Sequence, residues 1–344
     1  MNILAFESTC DETAVAVVRD GREVLSDQVF SQADLHAIYG GVVPEIASRS
    51  HVETISLLSE RALEEAGISR KEIDAVAVSY APGLIGAVLV GVNFAKAVAS
   101  VLGVPLIPVH HIRGHIAANY LAFPELTPPF VCLAISGGNT LIADVRDYTD
   151  LNILGATRDD AAGECFDKTA RVLGLPYPGG KPIDELSRGG DDSRYVFPQA
   201  HIEGKPYDMS FSGLKTAVIN LAHHAEQTGE PLDRAALAAS FTRAVSDSLV
   251  PRAMRAVKEL GYGKLVVAGG VAANSRIRHD FQKAAEEQNI TLYIPPLRLC
   301  GDNAAMIGAQ AYYEFLAGVR AGSDLNAYAS LDLSCSYGEE GTRA

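Results

Sequence analysis

Apolar positions along the chain follow two periods. Residues 3–6 and 13–18 are β-rich runs separated by the polar stretch 7–12, which predicts a hairpin with an acidic turn. The arrangement recurs at 131–135 and 140–145, which flank Ser136, Gly137, Gly138 and Asn139. A strand, a small polar loop and a second strand thus occur once in each half, a sign of duplication. Between the hairpins the pattern predicts an amphipathic helix over 45–66 and a strand over 73–80. A Pro-Gly loop, a small-residue helix over 86–102 closed by Gly103, and a strand over 104–109 follow. Three prolines within 123–129 mark the best boundary between lobes. Beyond it come a helix over 161–173, a Gly/Pro loop over 176–182, a short helix and a long irregular stretch over 189–209, of a length that is usually functional or mobile. Two long helical patterns cover 214–226 and 233–260, a strand over 264–268 ends in Gly269 and Gly270, and a helix begins near Asn274. A last strand covers 291–294, and Asp302 stands where it could cap a final helix running to about residue 321. Alternating strands and helices predict an α/β fold.

Composition narrows the class. The 344 residues, 48% hydrophobic and 21% charged, describe an ordinary globular protein and exclude a disordered scaffold. The apolar stretch 84–101 is interrupted by Asn93 and Lys96, so it reads as a buried helix, and no membrane association is expected. The first residues lack the basic, apolar and cleavage regions of a secretory signal, which makes a cytoplasmic location the expectation. Cys10, Cys132, Cys165, Cys300 and Cys335 are odd in number and form no C-x-x-C pair, so reduced, mostly buried thiols are expected. Lys and Arg number 29 against 42 Asp and Glu, a net charge of −13, which argues against nonspecific adhesion to nucleic acid or anionic membrane. A local basic face drawn from Arg252, Arg255, Lys258, Arg276, Arg278 and Lys283 still offers phosphate contacts.

Two constellations carry chemistry. Glycine-rich or polar loops follow strands at 8–13, 136–140 and 269–274, where backbone N–H groups can approach phosphate oxygens. Neither a P-loop nor a Rossmann fingerprint is present. Hairpin, hairpin and strand-to-helix turn, in that order, resemble the two-lobed superfold of actin, sugar kinases and chaperone ATPases, which clamps a nucleotide in a cleft between lobes. The second constellation is His111 and His115, at i and i+4 at the start of a helix, which puts both imidazoles on one face within reach of one cation. Taken alone, such a pair reads equally as solvated or capping histidines. A carboxylate would complete a two-histidine, one-carboxylate triad, and Asp302 is the candidate. A zinc peptidase helix has Glu directly after the first His; here Ile112 stands there, which counts against peptide hydrolysis.

The segment KAVASVLGVPLIPVHHIRGHI over 96–116 resembles the signature of the family once called glycoproteases and now understood as the universal tRNA threonylcarbamoyladenosine synthase subunit, TsaD in bacteria. So do FESTCDET from Phe6, APGLIGAVLVG from Ala81, ISGGNT from Ile135 and DDAAGECFDKTARVLGLPYPGG from Asp159. FSGLKTAV from Phe211, VAGGVAAN from Val267 and DNAAMIG from Asp302 extend the likeness over nearly the whole chain. Asn139 stands where a His is common, and Gly301 where a Thr usually precedes the Asp-Asn pair.

The resemblance implies an actin-like ATPase (ASKHA) fold with a duplicated ribonuclease H-like core. It implies an N-terminal lobe over 1–128, a C-terminal lobe over 129–301, a helix over 302–325 packing back on the first lobe, and a tail over 326–344. It implies transfer of threonylcarbamoyl from threonylcarbamoyl-adenylate to N6 of the adenosine 3′ of the anticodon in ANN-decoding tRNAs, with release of AMP. His111, His115 and Asp302 would hold one divalent metal ion per subunit, Fe2+ in first place and Zn2+ as the other candidate, and adenylate or ATP would occupy the cleft. Ile135, Ser136, Gly137, Gly138 and Asn139 would embrace the adenylate phosphate and carbamoyl atoms. Asp167, Gly180 and Asp184 would meet the ribose and nucleoside, and Gly270 and Asn274 the adenine. Asp11, with Glu12 beside it, is the candidate base. The implied partners are tRNA, a smaller paralogous ASKHA subunit (TsaB-like), for which the helix over 45–66 is a compatible face, and a P-loop ATPase (TsaE-like). A metallopeptidase explains the histidines but not the nucleotide loops, and a nucleotide-operated chaperone-like module explains the loops but not the triad.

Overall fold

The computed structural model describes residues 1–335, 337 and 338, so part of the tail expected over 326–344 lies outside the described residues. The chain divides into two compact units: Met1–Pro128 with Arg146–Leu151 and Pro295–Ala344, and Pro129–Val145 with Asn152–Ile294.

The first unit opens with β1 (Asn2–Glu7), β2 (Glu12–Arg19) and β3 (Glu23–Ser31), followed by the short α1 (Ala33–Ala37) and the long α2 (Pro44–Ala66). Pro44 starts α2 where its missing N–H costs nothing, and Gly67 closes it in the left-handed conformation. Next come β4 (Ala75–Ala81), α3 (Ile85–Leu102), β5 (Leu106–His110) and α4 (His111–Ala122). The sheet order is β3-β2-β1-β4-β5, with β1 antiparallel to β2 and parallel to β4. Strand periodicity sorts its two faces. Leu4, Phe6, Val15 and Val17 pack with Ile55 and Leu58 of α2 and Val88 and Val92 of α3, while Ile3, Ala5, Ala16 and Val18 face the other way. By length and composition α3 is apolar enough to cross a membrane, yet it lies on β4 and α2 with Ala87, Val88, Gly91, Val92, Ala95 and Ala99 buried.

In the second unit β6 (Phe130–Ile135), β7 (Thr140–Val145) and β8 (Leu151–Ala156) precede α5 (Ala162–Val172), α6 (Gly180–Ser187), α7 (Ser212–Thr228) and α8 (Arg234–Leu260). The chain continues through β9 (Lys264–Ala268), α9 (Ser275–Gln288) and β10 (Thr291–Tyr293). The order β8-β7-β6-β9-β10 repeats the first sheet, with β6 antiparallel to β7 and parallel to β9. The irregular stretch before α7 is pinned along α8: Tyr195 N donates to Ser240 Oγ (3.2 Å), Gln199 Nε2 to the Ala244 carbonyl (2.9 Å) and Arg252 to the Ala200 carbonyl (2.8 Å).

The last helix, α10 (Ala304–Leu316), returns to the first unit and covers the face of β1 and β2 opposite α2 and α3, with Ala304, Met306 and Ile307 in that core. It differs from expectation at both ends. It stops at Leu316, and Asn303, not Asp302, is its N-cap, its Oδ1 accepting from Met306 N at 2.9 Å. The capping hydrogen bond goes to the neighbour and leaves the Asp302 carboxylate free to turn elsewhere. Two glycines let α10 sit so deep. A Cβ on Gly114 of α4 would come within 2.7 Å of Ile307 Cδ1, and one on Gly308 within 2.7 Å of Val18 Cγ2.

Candidate metal centre and nucleotide loops

Strand β5 delivers His110, whose ring caps α4 by accepting from Ile112 N at 3.2 Å, so helical dihedrals begin at His111. One helical turn separates His111 from His115, and their ring centroids lie 4.6 Å apart. Because α4 packs against α10, the residue just ahead of α10 meets this pair. Asp302 Oδ1 lies 3.2 Å from His115 Nε2 and 3.5 Å from His111 Nε2. One ligand atom from each of the three residues falls within 4.8 Å of the others.

The donor set fits a cation. Both histidines are buried; His115 Nε2 faces Asp302 Oδ1 at 3.2 Å outside good hydrogen-bond geometry, and its Nδ1 has no hydrogen-bond partner among the described residues, an arrangement that is costly unless something else occupies a nitrogen lone pair. Two imidazoles and one carboxylate leave coordination positions open and suit iron or zinc equally. The surroundings are anionic. Burial works against charge on His111, but Glu7, Asp302 and Glu12 outweigh it and push its pKa up to about 9. Burial likewise opposes charge on Asp302, yet His111 and His115 hold its pKa down at about 2. Glu12 is pushed up to about 9 by burial and then by Asp302 and Asp11, against the opposing hydrogen bond from Ser31.

Asp11 stands, buried, in the turn between β1 and β2, and Glu12 is the first residue of β2. Two residues that the sequence did not single out hold this turn: Gln32 N donates to the Asp11 carbonyl at 2.9 Å, and His51 Nε2 to the Cys10 carbonyl at 2.9 Å. His51 lies on the buried face of α2 with Ile55 and Leu58, the position of a core residue, and that mismatch was the available signal. Glu7, at the end of β1, was also missed; its carboxylate contacts His111. Arg113, between the two histidines, is committed to the Thr149 carbonyl (2.7 Å), the Leu333 carbonyl (3.1 Å) and Glu314 (3.4 Å).

In the second unit the β6–β7 loop closes on itself, Ser136 N donating to the Asn139 carbonyl at 2.8 Å and Asn139 N to Ser136 Oγ at 3.2 Å. It is tied to the start of α5, where Glu164 N donates to the Gly137 carbonyl at 3.1 Å and Ala162 N to Thr140 Oγ1 at 2.9 Å. Gly137 and Gly138 are exposed, while the Ile135 side chain is fully buried. Asp167 Oδ1 accepts from Gly179 N at 2.7 Å and so shapes the turn in which Gly180 begins α6. Asp184 Oδ1 accepts from Ser275 N (2.9 Å) and Ser275 Oγ (2.6 Å), fastening α6 to the start of α9. There Asn274 caps α9 through Oδ1, and its buried Nδ2 has no hydrogen-bond partner among the described residues. Gly270 opens the exposed edge of the turn leading into it.

Lys168 pairs with Glu164 at 2.5 Å on the surface of α5. Three of the six residues of the candidate basic face are engaged within the protein: Arg252 binds three backbone carbonyls, Arg255 pairs with Glu259 at 2.6 Å, and Arg276 with Asp192 at 2.6 Å and Asp280 at 2.7 Å.

Residues 23–309 match the family model described as TsaD: tRNA N6-adenosine threonylcarbamoyltransferase. Two proteins named tRNA N6-adenosine threonylcarbamoyltransferase are close in sequence. One, from Moorella thermoacetica, is 51% identical over 97% of this chain and 97% of its own length. The other, from Clostridium botulinum strain 657, is 50% identical over 97% of this chain and 98% of its own. Among solved structures, HypF from T. kodakarensis superposes with a TM-score of 0.60 at 16% identity, over 92% of this chain and 48% of that one. The ADPNP-bound activator of the 2-hydroxyisocaproyl-CoA dehydratase from Clostridium difficile gives 0.51 at 14% identity, over 94% of this chain and all of that one. These likenesses show an actin-like ATPase fold, in agreement with the two sheets of matching order. The length and identity of the sequence matches go further: the chain belongs to the TsaD family of tRNA N6-adenosine threonylcarbamoyltransferases.

Proposed function

We propose that this tRNA N6-adenosine threonylcarbamoyltransferase takes threonylcarbamoyl-adenylate as donor and uses a divalent metal held by His111, His115 and Asp302. The carrying observation is the convergence of those three side chains, with His115 buried, its Nε2 3.2 Å from Asp302 Oδ1 and its Nδ1 without a hydrogen-bond partner among the described residues. A bound cation of this kind polarises an acyl oxygen and offsets the charge that develops on it.

The nucleophile is an aromatic exocyclic amine, weak at neutral pH, so rate must come from positioning and electrostatics. The N6 nitrogen of the adenosine 3′ of the anticodon in ANN-decoding tRNAs bonds to the carbamoyl carbon, the bond from that carbon to the phosphate oxygen breaks, and AMP departs. Asp11, in a turn gripped by Gln32 and His51, takes the amine proton, with Glu12 as its neighbour. In the second unit Ser136, Gly137, Gly138 and Asn139 offer backbone and side-chain donors to the adenylate phosphate. The Asp167-held turn at Gly180 and the Asp184-held start of α9 contact the nucleoside, and Asn274 Nδ2 is a buried donor suited to a purine acceptor.

The metallopeptidase reading is disfavoured by the buried Ile112, which occupies the place of a general base, and by Arg113, which is tied to carbonyls and Glu314. The enzyme would work in the cytoplasm with a smaller paralogue of the same fold and a P-loop ATPase. Incubation of the purified protein and these partners with threonylcarbamoyl-adenylate and unmodified tRNA, followed by mass spectrometry of the nucleosides, tests the assignment. Product is expected with wild type and absent with His111→Ala, which should also lose the metal while staying folded. Transfer that survives metal removal would refute the metal's role.

A further inference from the structure

We infer, on the basis of the metal reading above, that Glu7 is a positioning residue that sets which nitrogen of His111 is available as a ligand. Glu7 is fully buried at the end of β1, and both of its oxygens are used. Oε1 accepts from Thr9 N at 2.6 Å, and Oε2 lies 2.9 Å from His111 Nδ1. A carboxylate only accepts, so His111 Nδ1 carries the hydrogen in this contact. The other nitrogen, Nε2, is the one that faces Asp302 at 3.5 Å. Glu7 therefore directs the proton away from the nitrogen pointing at Asp302 and His115.

A competitor stands beside it. Thr9 Oγ1 lies 3.2 Å from the same Nδ1, and a hydroxyl can donate. Were Thr9 to donate, Nδ1 would be the acceptor and the hydrogen would move to Nε2, which blocks that nitrogen as a ligand. The shorter contact to an anion favours the ligating form. Glu7 also grips the chain that follows it: through Thr9 N it anchors the start of the turn that bears Asp11 and leads into Glu12 of β2. One side chain thus couples the orientation of a ligand histidine to the turn that carries the candidate base. His111 comes from a helix 104 positions further along the chain, so the contact is made only by the folded first unit.

Glu7→Gln tests this, since it keeps the shape and an acceptor for Thr9 N while the amide can donate to Nδ1. Zn2+ affinity, read by chelator competition, should fall about 10- to 100-fold, and the visible spectrum of the Co2+ form should change. Thr9→Val should leave both unchanged. Unaltered Zn2+ affinity and Co2+ spectrum in folded Glu7→Gln would overturn the inference and leave the metal reading standing, as would a loss seen with Thr9→Val alone. Failure of wild type to take up Zn2+ at one equivalent would overturn the metal reading and the inference together. If Glu7→Gln does not fold, 15N NMR of the histidine rings in Zn2+-loaded wild type decides: a protonated Nδ1 and liganded Nε2 on His111 are expected, and the reverse assignment overturns the proposal.

Discussion

Gly308 offers a measurement of how closely α10 must sit on the sheet. It lies in the helix interior, where replacing glycine by alanine ordinarily stabilises by about 1 kcal/mol. Here the new Cβ would stand 2.7 Å from Val18 Cγ2, 2.9 Å from Val18 Cβ and 3.3 Å from Ala5 Cβ. Carbon atoms at rest keep about 3.5–4.0 Å between them, so the helix or β2 has to give way by several tenths of an ångström. Overpacking of this kind costs about 1–3 kcal/mol, which outweighs the propensity gain. Gly308→Ala should therefore lose about 1 kcal/mol in urea denaturation. Val18→Ala removes the nearest of the three contacts and leaves the one at Cβ, so it relieves part of the clash. A double-mutant cycle over the two positions should give a coupling of about 1 kcal/mol. Because Asp302 enters α10 from its N-terminal end, Zn2+ affinity should fall in Gly308→Ala and partly recover in the double variant. If Gly308→Ala stabilises by its full propensity gain and does so equally in both Val18 backgrounds, the close-approach reasoning is wrong.

Burial raises the pKa of Asp27 from 3.8 to about 6, against hydrogen bonds from Ala305 and Ala304. A carboxyl with a raised folded-state pKa favours the fold most below about 4 and loses that contribution as pH climbs through 6, at most about 3 kcal/mol. Denaturation of Asp27→Asn and wild type at pH 4.5 and pH 7 should show the difference between them moving in favour of the variant at the higher pH; a difference independent of pH refutes this. Arg22 donates to the Tyr313 hydroxyl, to the carbonyls of Tyr120, Phe123 and Leu126 and to the Tyr148 hydroxyl, with its guanidinium 5.1 Å from the Tyr120 ring. Lysine cannot reproduce that fork, so Arg22→Lys should destabilise by roughly 3 kcal/mol in urea, and a loss near zero would contradict it. Asp167→Ala removes the acceptor of Gly179 N and should weaken AMP binding on the order of tenfold by calorimetry; unchanged affinity would detach that turn from the nucleotide.

Much of this architecture was legible because its strongest signals are local. The i, i+4 spacing of His111 and His115, the two hairpins and the alternation of strand and helix all depend on neighbours in sequence. What escaped depends on distance. β3 has one buried position and several exposed ones, as an edge strand does, so it lacks an apolar run to reveal it. β8 is an edge strand as well and mixes buried with half-exposed residues. Asp302 and Asn303 are both good caps by residue type, and only the dihedrals of the folded chain decide that Asn303 takes the role. Glu7 reads from sequence as the first polar residue after a strand, because its partner His111 is supplied by a distant helix.

The first unit is drawn from three separate stretches, Met1–Pro128, Arg146–Leu151 and Pro295–Ala344. During synthesis His111 and His115 leave the ribosome long before Asp302, with the whole of the second unit translated in between. Their constellation is complete only once Asp302 has been added, so a nascent or truncated chain that ends before Asp302 lacks one of the three donors. On the metal reading proposed above, only a chain translated past Asp302 can load the ion with all three donors.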